Sequence, residues 1–187
     1  MENKDIELRK NQIINFLKTK KNWIQYVFLA IILWLAYSIR SQNWEFLKDV
    51  TTGKYISLEV DSTLFLRYAQ YIAEHGKLFA VDLLRSYPSG LQIDFGVFTS
   101  YFVAYLYKFL HIFSSTITVE YVDVIYPTLA TIIAATFLFL FVRRLFDYRV
   151  ALLSALFLVT LPVFLFRSIS SDHDILGMMF LVMAIYF

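Results

Sequence analysis

The run Val124–Val142 (VIYPTLATIIAATFLFLFV) extends for 19 residues without one charged side chain. A helix that crosses a bilayer needs about 20 predominantly apolar residues, and a soluble core helix seldom sustains so many. Trp23–Tyr37 (WIQYVFLAIILWLAY) and Val150–Phe166 (VALLSALFLVTLPVFLF) repeat the pattern. Hydrophobic residues reach 59% of the 187 and mean hydropathy is +0.60. Soluble domains hold roughly 45–50% apolar residues, so lipid is the expected solvent for much of this surface. Backbone polar groups in lipid must be satisfied within the segment, and the chain is expected to be an all-α polytopic membrane protein. It has no cysteine, which excludes thiolate metal sites and cysteine nucleophiles. A net charge of +2 gives no reason to expect a nucleic-acid partner.

Basic residues fix the expected orientation. Lys4, Arg9, Lys10, Lys18, Lys20 and Lys21 precede the first span against Glu2, Asp5 and Glu7, which places a basic segment 1–22 in the cytoplasm. Spans are expected at 23–40, 123–142 and 150–167, with the start of a fourth at 175–187. The turn between the second and third carries Arg143, Arg144 and Arg149 and is also expected inside. Val97–Phe113 is apolar but includes Lys108 and His111, and a crossing there would put the three arginines outside. It is therefore expected to lie in the outer interface, within a large outer loop 41–122. Pro127 and Pro162 are expected to kink their spans. The last apolar run stops after 13 residues without a polar flank, the expected mark of a piece of a longer membrane protein.

The acids then gather on the outer face. Residues 62–75 place Leu64, Tyr68, Tyr71, Ile72 and His75 at helical spacing, and Gly76 is a helix terminator. Asp61 stands immediately before this helix, and Ser86–Gly90 (SYPSG) is a turn. Asp172 and Asp174 flank His173 in the short outer loop after Arg167. Carboxylates at i and i+2 can address one hard cation, yet Asp is also a favoured helix N-cap. Both roles are open for Asp61 and for the Asp172–Asp174 pair. His173 and Arg167 are secondary candidates, Arg167 as an interface anchor or a phosphate contact. Asp94 and Asp123 are isolated acids read mainly as structural, with Asp94 the better functional candidate.

The order of these features resembles the catalytic subunits of oligosaccharyltransferases. Asp61 through Gly76 (DSTLFLRYAQYIAEHG) is similar to that family's first outer loop, where an Asp precedes a helix reading approximately R-x-A-x-x-I-x-x-x-G. Tyr87-Pro88-Ser89-Gly90 resembles its Y-P-x-G turn. Leu106-Tyr107-Lys108, Arg143-Arg144-Leu145-Phe146-Asp147 and Leu161-Pro162 to Arg167-Ser168 follow in order. Asp172-His173-Asp174 falls where the family has its second D-x-D motif. The resemblance implies a helical bundle of the GT-C glycosyltransferase type, truncated after about three and a half spans. It implies transfer of a glycan from a polyprenyl or dolichyl (pyro)phosphate carrier to the Asn of an N-x-S/T sequon, in the cell membrane at its extracytoplasmic face. Its expected partners are a lipid-linked oligosaccharide, the acceptor polypeptide and the bilayer. Mn²⁺ or Mg²⁺ is the implied cofactor, with Asp61 catalytic and a ligand, and Asp172 and Asp174 completing the metal site. The family's W-W-D-x-G motif belongs to a C-terminal soluble domain outside these residues, so the 187 residues alone are expected to be inactive. Two other readings stay open: another GT-C transferase using polyprenyl-phosphate sugars, such as a protein O-mannosyltransferase, and a non-catalytic membrane protein whose acids are caps.

Overall fold

The structure is a computed structural model and describes residues 23–42, 44–57, 59–93, 97–169 and 171–187. The basic segment 1–22 and Asp94 lie outside the described residues. Helix α1 covers residues 23–41, and a short 3-10 helix, Trp44–Leu47, follows it. Then come α2 (Val60–His75), a two-stranded hairpin of β1 (Val81–Asp82) and β2 (Leu91–Gln92), α3 (Phe98–His111), α4 (Val119–Leu145), α5 (Tyr148–Thr160), α6 (Pro162–Arg167) and α7 (His173–Tyr186). Two stretches, Trp23–Leu47 and Val119–Leu145, are long and apolar enough to cross a membrane. The 14 residues of α3 rise about 21 Å, short of the roughly 30 Å hydrocarbon core.

Helix α4 is the axis of the molecule, buried from two sides. Leu29, Ile32 and Ala36 of α1 and Ala151, Ala155 and Val159 of α5 close on Ala135, Phe139 and Val142. The alanines at i and i+4 let the α5 backbone approach closely, the usual device for packing helices in lipid. On the other side, Ala69 and Ile72 of α2, Val103 and Ala104 of α3, and Ile175, Leu176 and Met179 of α7 pack on Val122, Tyr126, Ala130 and Ala134. The outward faces stay apolar, with Trp34 67% and Phe157 61% exposed. Surfaces of that kind are poorly matched to water and well matched to lipid.

Local signals set the ends of elements. Gly76 takes φ 81°, and its N–H closes on Ile72 O, a left-handed helix stop that an L side chain would strain. Residue 161 precedes Pro162 and adopts φ −59°, ψ 123°, so α5 stops there and α6 restarts with the proline at its first position. The expected single span at 150–167 is thus two helices. Carbonyls near such a break lack helical partners. Arg40, only 2% exposed, fills the gap: its guanidinium donates to Val159 O at 3.4 Å, Ala36 O at 3.1 Å and Ser168 Oγ at 2.8 Å. The sequence places Arg40 at the water-facing edge of the first span; in the fold it stitches α1 to the α5–α6 break. At the other end of α1, Arg143 donates to the Tyr26 hydroxyl.

The β-hairpin is clamped to α2 through Asp82. This carboxylate is 1% exposed and accepts from Arg67, from the Tyr68 hydroxyl at 2.8 Å and from Leu84 N–H at 3.1 Å. Burial pushes its proton affinity up, but these donors outweigh burial and hold the carboxyl below its ordinary value. A depressed folded value means that the stabilisation is present above the unfolded carboxylate value, about 3.9, and disappears as pH falls through the folded one. Asp82→Asn is expected to cost about 1–3 kcal/mol at neutral pH. Thermal unfolding followed from neutral pH down to about pH 3 should show the variant converging on wild type at the acid end.

Candidate functional site

The segment between α6 and α7 and the first turn of α7 bring Asp172, His173 and Asp174 together. Asp172 has extended backbone (φ −120°, ψ 158°) and caps the helix, its Oδ1 accepting His173 N–H at 2.6 Å. The same oxygen lies 2.6 Å from His173 Nδ1, while Nε2 of that ring is 3.6 Å from Asp174 Oδ1. One ligand atom from each of Asp172, His173 and Asp174 falls within 4.8 Å of the others. Arg167 stands over the pair, its Nη1 3.5 Å from Asp172 Oδ2 and 3.7 Å from Asp174 Oδ2. Asp172 is buried, whereas the side chains of Asp174, His173 and Arg167 are about half exposed, so the cluster has a floor and an open mouth. Two hard oxygen donors and an imidazole suit a cation such as Mg²⁺ or Mn²⁺.

The second candidate segment approaches along α2. The spacing places Asp61 immediately ahead of this helix, with cap and ligand roles both open. In the structure the helix begins at Val60 with Glu59 as cap, and Asp61 sits in the first turn, exposed. Its carboxylate is not among the ligand atoms gathered around His173. One turn along, Phe65 packs edge-on against the His173 ring at 5.8 Å, so the start of α2 lies against the start of α7. Between them runs an apolar cavity of about 590 Å³, lined by Phe65, Tyr68, Phe98, His173, Leu176 and Phe180.

A family model described as oligosaccharyl transferase STT3, N-terminal, matches residues 21–187. The chain belongs to the STT3 family of oligosaccharyltransferases. STT3 proteins are membrane proteins and glycosyltransferases, which accords with the apolar helices above. Among solved structures the chain is similar to the archaeal oligosaccharyltransferase AglB from Archaeoglobus fulgidus, in complex with an inhibitory peptide and a dolichol-phosphate. That likeness has a TM-score of 0.69 at 23% identity, and covers 87% of this chain and 19% of AglB. It shows the fold. The chain therefore spans about a fifth of that relative's length. No curated protein sequence matches it in a direct comparison.

Three polar residues of α4 that the sequence leaves in the background tie neighbouring segments to this helix. Glu120, Asp123 and Tyr126 recur at i, i+3 and i+6 on α4, hence on one face. Glu120 accepts from Gln70 of α2 at 3.0 Å and pairs with Lys54 at 3.6 Å. Asp123, 1% exposed, accepts from Ser57 at 2.8 Å and from Ser171. Tyr126, equally buried, donates to the Asp172 carbonyl at 3.0 Å. The available signal was their polarity on an otherwise apolar helix, which in lipid calls for a partner.

Proposed function

We propose that this chain supplies the N-terminal share of an oligosaccharyltransferase site, on the extracytoplasmic face of a cell membrane with the N-terminus in the cytoplasm. The reaction joins the side-chain amide nitrogen of a sequon Asn (N-x-S/T) to the first sugar carbon. The bond from that carbon to the carrier's (pyro)phosphate oxygen breaks, the lipid (pyro)phosphate leaves with the bonding electron pair, and one amide proton is released to solvent or to the leaving phosphate. The Asp172–His173–Asp174 cluster carries this reading, and its support is membership of the STT3 family. AglB, whose fold the chain shares, was captured with an inhibitory peptide and a dolichol-phosphate; a peptide acceptor and a polyprenyl or dolichyl carrier are proposed here by that analogy.

Asp172 and Asp174 would hold Mn²⁺ or Mg²⁺, with Asp61 presented from the neighbouring helix toward the acceptor amide. A bound divalent ion supplies concentrated positive charge for substrate oxygens. Arg167 offers a half-exposed guanidinium beside the acids, suited in charge and shape to a phosphate oxygen. His173 lines the cavity between α2 and α7 and limits how that space is filled. The full-length membrane protein, given a lipid-linked glycan and a sequon peptide, is expected to glycosylate the peptide. EDTA should abolish the transfer and Mn²⁺ or Mg²⁺ restore it. Transfer that persists through chelation, or that proceeds equally when Gln replaces the acceptor Asn, would overturn this reading.

A further inference from the structure

The two segments that bear the candidate acids share one buried anchor. Asp61 begins four residues after Ser57, and Asp172 directly follows Ser171. Both serines donate to the Asp123 carboxylate, one to each oxygen: Ser57 at 2.8 Å to Oδ2 and Ser171 to Oδ1. The partners are 66 and 48 residues away in the chain, so nothing local to either segment accounts for their meeting. One turn further along α4, Tyr126 fixes the Asp172 backbone carbonyl.

A carboxylate at 1% exposure is costly unless its lone pairs are used. Here both oxygens are engaged by hydroxyls from different loops. We propose that Asp123 is a positioning residue, a clasp that holds the Asp61 segment and the Asp172–Asp174 turn in one register and so sets how tightly a divalent cation is held. This rests on the metal-dependent reading of the preceding subsection. Residues that only orient metal ligands typically change metal affinity by about 10–100-fold when removed, and Asp123 acts one step behind Asp172 in that manner.

The test is Mn²⁺ binding to the purified full-length protein, read as free Mn²⁺ by electron paramagnetic resonance, alongside glycan transfer. Asp123→Ala is expected to weaken Mn²⁺ binding by roughly tenfold or more. Asp123→Asn should recover most of that loss, because a serine hydroxyl can turn to accept from the new amide. Ser57→Ala, a half-buried single-bond change, should give a smaller loss, and it serves if Asp123→Ala does not fold. In the Asp123→Ala background the serine variant should add nothing, as expected of groups acting through one partner. Wild-type Mn²⁺ affinity in Asp123→Ala or Ser57→Ala overturns the clasp, as does a fall in transfer with unchanged affinity. Asp172→Asn separates the two levels of the argument. If it abolishes Mn²⁺ binding while the Asp123 variants do not weaken it, only the clasp fails. If it leaves both Mn²⁺ binding and transfer intact, the metal reading fails and takes the clasp with it.

Discussion

Asp172→Asn in the full-length protein is expected to lower glycan transfer by about 10²–10³-fold, the size of loss seen when one preorganised electrostatic group leaves an active site. The substitution separates the residue's two roles. Asn is nearly as good an N-cap as Asp, so the bond from His173 N–H at the start of α7 persists and the melting temperature should hold. What disappears is a buried negative charge beside Arg167 and His173. Asp172→Ala removes the cap as well, and is expected to cost about 1 kcal/mol of stability in addition. Initial transfer rates and thermal melts on the two variants check this. Transfer by Asp172→Asn within twofold of wild type would remove the residue from the site.

Features carried by short stretches of sequence were readable in advance, and those made by distant encounters were not. Gly76 ends α2 because only its own backbone is involved, and Pro162 biases the residue before it away from helical geometry, which is where α5 stops. The long apolar run of α4 announces itself by composition. Asp172 and Asp174 are legible as a pair because carboxylates at i and i+2 in a turn or extended segment can address one hard cation. By contrast, Arg40 looks like any basic flank until the α5–α6 break supplies carbonyls more than a hundred residues away. Asp123 reads as an isolated interface acid until the fold delivers Ser57 and Ser171 to it. The two-residue strands of the hairpin are too short to leave an alternating pattern. The order of motifs gives the family, then, while the supports of the site arise from packing that the order does not encode.

Asp61→Asn is the second large effect, and its surroundings make it clean to interpret. The side chain is exposed in the first turn of α2, and none of the described hydrogen bonds or ion pairs uses it. Its structural share is therefore the favourable placement of a negative charge at a helix N-terminus, about 0.3–1 kcal/mol. A change of that size moves the melting temperature of the full-length protein only slightly, because the shift per kcal/mol shrinks as a chain grows. If Asp61 serves only the helix, Asp61→Asn shows this small thermal shift and keeps full transfer. If it presents a carboxylate to the acceptor amide, transfer falls by about 10²-fold or more in a protein that expresses and melts normally. The second outcome is expected. A carboxylate with no partner among the described residues, set one turn from the residue that packs on His173, is available to meet a substrate. Full transfer by Asp61→Asn would leave α2 as a support for the site and assign the acceptor contact to another side chain.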